Sequence, residues 1–177
     1  IKVNPQPVSG AAGSNETICK GESTTISVSG YTGTIEWESS PNNATWTMIG
    51  GATSDSYNTG ALNTTTYYRA KVGTLCDTAF SNVVTITVDS LPDAGTISGP
   101  TTVCVGTDIT LTLSGYEGNI QWQDSAQGDA GWNDIETPAD SYNRTNLTDT
   151  TYYRVYVETD NCGNDTSAVH EIITIEN

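Results

Sequence analysis

Apolar residues in this chain recur at every second position, in short runs bounded by Gly, Asn and Asp. Ile26 and Val28 alternate with Ser27 and Ser29, and Ile109, Leu111 and Leu113 alternate with Thr110 and Thr112. A period of two is the mark of a half-buried strand. Ile35 with Trp37 and Ile120 with Trp122 continue the pattern, followed by the stretches 45–49 and 131–135. From Thr66 to Val72 the alternation sets Tyr68, Ala70 and Val72 on one face; its twin sets Tyr153, Val155 and Val157 there. Val84, Ile86 and Val88 close the first half, and Ile172 to Ile175 the second. No stretch carries helical periodicity. The pattern predicts an all-β chain with about seven short strands in each half, the count of a Greek-key sandwich.

The halves are copies of one another. A shift of 85 residues lays Ile18-Cys19-Lys20-Gly21 on Val103-Cys104-Val105-Gly106, and Gly30-Tyr31 with Gly33 on Gly115-Tyr116 with Gly118. Ile35-Glu36-Trp37 falls on Ile120-Gln121-Trp122, Asp55-Ser56-Tyr57-Asn58 on Asp140-Ser141-Tyr142-Asn143, and Thr66-Tyr67-Tyr68-Arg69 on Thr151-Tyr152-Tyr153-Arg154. One inserted residue later, Cys76 meets Cys162 and Ser81 meets Ser167. Self-similarity at a fixed period marks a repeat architecture. The expected domains are residues 1–91 and 92–177. Residues 1–7 resemble the end of a preceding repeat, which predicts further repeats on the N-terminal side. The joint at 89–93 is short and holds one Pro, so it should limit a hinge and leave the units end to end.

Composition narrows the function. Thr, Ser, Asn and Gly dominate, and the net charge is -15 with only 6 Lys+Arg. That balance excludes a phosphate-binding surface, which rests on Lys and Arg, and equally disfavours docking on anionic lipid. No apolar run reaches the length of a membrane span. The expectation is therefore no nucleic acid and no membrane insertion.

Cys19, Cys76, Cys104 and Cys162 form no CxxC pair, and their even count and wide spacing suit disulfides in an oxidising compartment. Pairing within each repeat, Cys19 with Cys76 and Cys104 with Cys162, treats the repeats alike. Each bridge would close a loop of about 60 residues and contribute roughly 3 to 4 kcal/mol. This pairing carries a tension. In a seven-strand sandwich the first cysteine precedes the second strand and the second follows the sixth, at opposite ends of the fold. Either the first strand is irregular or the strand count is off by one. Trp37 and Trp122 on the third strand read as the core tryptophan of immunoglobulin-like domains. Tyr68 and Tyr153 read as a tyrosine corner, the phenol tying down a loop.

Little points to catalysis. There is no GxSxG, HExxH or phosphate-binding Gly-rich loop. The one histidine, His170, has no polar counterpart in the first repeat and reads as structural. The expectation is that the chain is not an enzyme. Two binding chemistries are worth naming. Trp46 and Trp132 occupy equivalent places, and Tyr67 and Tyr152 point away from the core; exposed aromatic rings can stack on sugars. The competing reading has both tryptophans capping the core edge. Asp160, Asn161, Asn164 and Asp165 cluster in one loop and offer oxygen ligands of the kind Ca²⁺ takes, without EF-hand spacing. No other cofactor is indicated.

Taken together, Cys-x-Gly, Gly-Tyr-x-Gly, Ile-x-Trp, Asp-Ser-Tyr, Thr-Tyr-Tyr-Arg, Cys, Ser and a closing Ile/Val strand resemble the immunoglobulin-like repeats of very large Bacteroidota surface proteins. Those proteins are sorted by type IX secretion and include gliding adhesins of the SprB type. The resemblance covers nearly the whole chain. It implies two tandem immunoglobulin-like or fibronectin-III-like Greek-key sandwiches, extracellular at the cell surface, serving as an extended stalk or adhesive array in attachment and gliding. The implied partners are neighbouring repeats and a polysaccharide or solid surface. It also implies O-glycans at Asp77-Thr78-Ala79, Asp89-Ser90-Leu91 and Asp124-Ser125-Ala126. The alternative is a pair of carbohydrate-binding modules attached to a secreted glycan-degrading enzyme.

Overall fold

Residues 6–75, 77–135 and 139–176, described by a computed structural model, form eighteen strands and no helix. The chain divides into two units, Ile1–Asp89 and Ser90–Asn177. Unit 1 holds β1 (Val8–Ala12), β2 (Glu16–Cys19), β3 (Thr25–Thr32), β4 (Thr34–Ser40), β5 (Thr47–Met48), β6 (Ser56–Asn58), β7 (Thr66–Gly73), β8 (Thr78–Phe80) and β9 (Val84–Asp89). Unit 2 repeats them as β10 (Thr96–Ser98), β11 (Thr102–Cys104), β12 (Thr107–Ser114), β13 (Asn119–Ser125), β14 (Asn133–Ile135), β15 (Ser141–Leu147), β16 (Thr151–Thr159), β17 (Gly163–Thr166) and β18 (His170–Ile175).

In unit 1 a small sheet of order β1-β3-β6 faces a larger sheet of order β2-β9-β7-β4-β5, with β8 also paired to β7. Unit 2 has the same two sheets, β10-β12-β15 and β11-β18-β16-β13-β14, with β17 on β16. The expected strands are all present, and the segments outnumber seven because the first and last strands are each broken in two. The first strand crosses between sheets: β1 pairs antiparallel with β3, whereas β2 runs parallel to β9. The last strand breaks at Ser81. There the Ser81 hydroxyl accepts the Ala70 N–H at 2.9 Å, and the Ser81 N–H donates to the Ala70 carbonyl at 2.9 Å. Ser167 and Val155 repeat both bonds at 2.9 Å. A side-chain oxygen thus replaces a missing backbone carbonyl at the break, so no buried N–H is orphaned.

Each core lies between the two sheets of its own unit. Ile26, Val28, Ile35, Trp37, Tyr68, Ala70, Val84 and Ile86 fill the first; Ile109, Leu111, Leu113, Trp122, Tyr153, Val155, Val157 and Ile172 fill the second. Trp37 and Trp122 are fully buried, and their indole N–H groups donate to Ser54 O at 3.0 Å and Ala139 O at 2.8 Å. The Gly-Tyr-x-Gly motif has a local cause. Gly33 and Gly118 sit at φ 137° and 120°, and a Cβ there would lie 2.5 Å from Gly73 O and 2.7 Å from Glu158 O. Only glycine lets the turn into β4 and β13 press so closely on the neighbouring strand.

Two expectations are corrected. Tyr153 is no tyrosine corner: its hydroxyl is buried and makes no hydrogen bond among the described residues. Its ring packs instead against Tyr142 at 5.7 Å between centroids, and Tyr142 packs against Trp122 at 6.0 Å. The Tyr68 ring lies tilted against that of Tyr57, 6.2 Å between centroids. The second correction concerns the cysteines. Cys19 and Cys162 are disulfide-bonded, but Cys104 is an exposed free thiol, so the expected Cys104–Cys162 bridge is not formed. The irregular first strand is the reason. Cys104 ends β11 opposite Ile175, at the pole where β18 ends. Cys162 lies in the β16–β17 turn at the other pole. The pairings Thr151↔Ile172 and Thr159↔Gly163 separate the two cysteines by about eleven residue rises, roughly 35 Å. A disulfide needs Cα atoms within about 7 Å. Cys76 lies outside the described residues, as does most of the 1–7 segment.

Candidate functional site: the outer face of the larger sheet

The alternation that buries Tyr68, Ala70 and Val72 turns Tyr67, Arg69 and Lys71 to the outer face of β7, beside Glu36 and Glu38 of β4. Arg69 is the centre of this surface. Its guanidinium lies 4.2 Å from the Trp46 ring centroid and 4.1 Å from that of Phe80, and its Nη2 sits 2.7 Å from Glu38 Oε2. Lys71 pairs with Glu36 at 3.2 Å. A planar cation held between two rings and a carboxylate is a rigid, charge-neutral platform.

Unit 2 builds the same platform with fewer charges. Arg154 lies 4.2 Å over Trp132 and donates through Nε to Gln123 Oε1 at 2.7 Å. Gln121 and Gln123 stand where unit 1 has Glu36 and Glu38, and Tyr156 stands in place of Lys71. Beside them opens a shallow cavity of about 310 Å³, lined by Asn119, Ile120, Gln121, Gln123, Asp134, Tyr156 and Glu158. Gln121 is oriented by donating to Ile135 O at 2.7 Å, and Gln123 by donating to Asp134 Oδ1 at 2.7 Å. Fixed amides, two carboxylates and a phenol offer hydrogen bonds of both senses to a neutral, hydroxyl-rich ligand.

Trp46 and Trp132 are partly buried on this outer face and belong to neither core. Each therefore stacks on an arginine rather than capping the core edge. Tyr67 and Tyr152 point outward on the same strands, two residues before those arginines. Tyr152 is raised above the usual phenol pKa by its hydrogen bond to Glu171 and that carboxylate's charge. Its ring lies over Gly128, where a Cβ would come 2.8 Å from it. The structure thus gathers the four predicted aromatic residues onto equivalent faces of the two units. The arginines were not singled out from the sequence, although the repeated Thr-Tyr-Tyr-Arg places an outward arginine in each.

The acidic loop is occupied with turn chemistry. Asp160, Asn161, Asn164 and Asp165 fall in and beside the β16–β17 turn, where Asn164 pairs with Glu158 and the Asp165 carboxylate accepts the Ala94 N–H at 2.9 Å. Among the described residues no three His, Cys, Asp or Glu side chains converge as a metal site. His170 Nε2 contacts Pro100 O at 3.0 Å. Of the three glycan positions, Thr78 and Ser90 are exposed, whereas Ser125 is 2% exposed and its hydroxyl donates to Ala130 O, which closes it to modification in the folded chain.

Two split-strand sandwiches, each with a buried tryptophan on the third strand of the unit's sequence, define a tandem pair of immunoglobulin-like domains. Solved structures agree at the level of fold. The N-terminal four Ig domains of Dscam1 isoform 6.9 match with a TM-score of 0.58 at 14% identity, over 95% of this chain and 47% of that one. The amphioxus IgVJ-C2 molecule matches at 0.55 and 13%, over 89% and 99%. Domains 1–4 of Sidekick-1 match at 0.51 and 16%, over 97% and 48%. The chain thus spans about half the length of the Dscam1 and Sidekick-1 structures. One family model, "Domain of unknown function (DUF8696)", matches residues 8–90 and again 93–176, and the chain belongs to that family. No curated protein matches the sequence.

Proposed function

We propose that this pair of domains is a segment of a large bacterial cell-surface adhesin, serving as spacer and repeated adhesive face in surface attachment and gliding, after export by type IX secretion. The observation that carries the reading is duplication of the outer platform: Arg69 on Trp46 and Arg154 on Trp132 have the same 4.2 Å separation in both units. A protein that adheres through many weak, identical contacts gains avidity from such repetition without a single deep site. The amide-lined cavity of unit 2 supports polysaccharide as the contacted material. Disulfide-bonded Cys19 and Cys162 fit an oxidising, extracellular setting. The carbohydrate-binding-module alternative would need a catalytic domain elsewhere in the same protein.

The test is binding of this chain to a panel of polysaccharides and surfaces, with Trp46→Ala and Trp132→Ala variants checked for folding by near-UV circular dichroism. Loss of binding in folded variants establishes the outer platform as the adhesive element. A folded chain that binds nothing removes the adhesive half of the proposal and leaves a spacer.

A further inference from the structure

The two copies of the outer face differ most at one row of cross-strand neighbours. In unit 1, Glu36 of β4 stands opposite Lys71 of β7, and the two form an ion pair at 3.2 Å. In unit 2 the same places hold Gln121 of β13 and Tyr156 of β16. Phe80, which covers the second face of Arg69, is replaced by Thr166, and Met48 by Asp134. The cavity of about 310 Å³ opens at this row. Its amides are fixed in one sense. Gln121 Nε2 donates to the backbone carbonyls of Trp122 at 2.9 Å and Ile135 at 2.7 Å, which engages both its N–H groups and leaves its carbonyl oxygen. Gln123 is held between an acceptor, Asp134 Oδ1, and a donor, Arg154 Nε, each at 2.7 Å. What the cavity keeps for a ligand is chiefly acceptors: Gln121 Oε1, the second oxygen of Asp134 and the carboxylate of Glu158. Among the described residues no cation pairs with either carboxylate, since both ion pairs lie in unit 1.

We propose, resting on the polysaccharide reading above, that unit 2 is the selective member of the pair and that its cavity takes a neutral sugar residue through the sugar's hydroxyl donors. A sugar hydroxyl donates to a carboxylate or amide oxygen and accepts in turn from the Tyr156 phenol. Hydrogen bonds to an ionised acceptor are the stronger kind, so Asp134 and Glu158 carry the recognition. The same carboxylates repel a carboxylated or sulfated sugar, and the net charge of -15 adds to that repulsion. In unit 1, Glu36 and Glu38 are both held by cations, so its face contributes contact without this selection.

The test is affinity electrophoresis of the two-repeat chain through gels holding a neutral polysaccharide (β-glucan, galactomannan or xylan) or an acidic one (alginate or polygalacturonate). The expected result is retardation by at least one neutral polysaccharide and by neither acidic one. Two variants place the effect in the cavity. Gln121→Glu with Tyr156→Lys installs the ion pair of unit 1, an exchange that the first copy of the fold already accommodates. Glu158→Gln alters one exposed side chain. Both should keep the parent melting temperature and weaken neutral-glycan binding by about tenfold or more, the loss of one hydrogen bond to a charged group. Equal retardation by acidic and neutral polysaccharides would overturn the proposal. So would neutral-glycan binding that survives both variants yet is lost in Trp132→Ala, a result that leaves the outer platform as the adhesive element and removes the cavity from it. Retardation by no polysaccharide removes the adhesive reading itself, and this inference with it.

Discussion

Replacing Tyr153 by Phe removes one atom from the middle of unit 2 and should stabilise it. Tyr153 is fully buried, and its hydroxyl is the one buried side-chain polar atom without a partner among the described residues. Burial, with the neighbouring Tyr142 second, pushes its phenol up to about 12. Leaving such a group unpaired costs about 1–3 kcal/mol, whereas its ring contacts survive the substitution. The void left by a single oxygen is too small to cancel that gain. The net expectation for Tyr153→Phe is a stabilisation of about 1 kcal/mol, or a rise of about 4–8 °C in the melting temperature of a unit this size. Urea unfolding followed by tryptophan fluorescence and by near-UV circular dichroism gives the number, with Trp122 reporting on the altered core. A variant destabilised by 1 kcal/mol or more would refute the reasoning. It would mean that the hydroxyl ties down a loop after all, as the tyrosine-corner reading of the sequence held.

The remaining predictions concern charge and backbone satisfaction. Tyr68 and Tyr153 are both raised to about 12 by burial, so the fold favours their protonated forms; stability is full below pH 10 and falls as pH rises from 10 towards 12. The slope reaches at most about 1.4 kcal/mol per pH unit for each tyrosine. Melting curves across that range should show the fall, and the double Phe variant should flatten it. Ser167→Ala strips the Val155 N–H of its acceptor in a buried strand and should cost about 1–3 kcal/mol, with faster hydrogen exchange at Val155. Arg69→Met leaves Glu38 without its cation and Trp46 and Phe80 without the plate between them. The expected loss is about 1–2 kcal/mol, greater than for Arg154→Met, where one ring and a neutral amide are affected; matched chemical denaturation of the two variants compares them.

What the sequence shows and what it hides divide along a physical line. Period-two alternation reports which face of a strand is buried, and it placed Ile26, Val28, Trp37, Tyr68, Val84 and their counterparts in the cores where they lie. The same alternation sent Tyr67 and Tyr152 outward. Alternation is silent about position along the strand axis. Cys104 and Cys162 suit a disulfide by count and spacing, yet they occupy opposite poles because the split first strand carries Cys104 to the end of β11, parallel to β18. Symmetry between repeats was therefore a poor guide to pairing, since it constrains which positions are equivalent and not how far apart they stand. Trp46 and Trp132 show the same limit. Each precedes a very short strand, with too little alternation to choose a face, and their placement is decided by an arginine from another strand. That arginine is legible only as the last letter of Thr-Tyr-Tyr-Arg. Its spacing from the buried Tyr68 and Tyr153 fixes it outward, and its pairing with tryptophan follows from the register of β4 on β7 and β13 on β16, which no local pattern encodes. Long-range register is thus what turns two repeats of one sequence pattern into two copies of one surface. The adhesive proposal depends on that recurrence more than on any single residue in it.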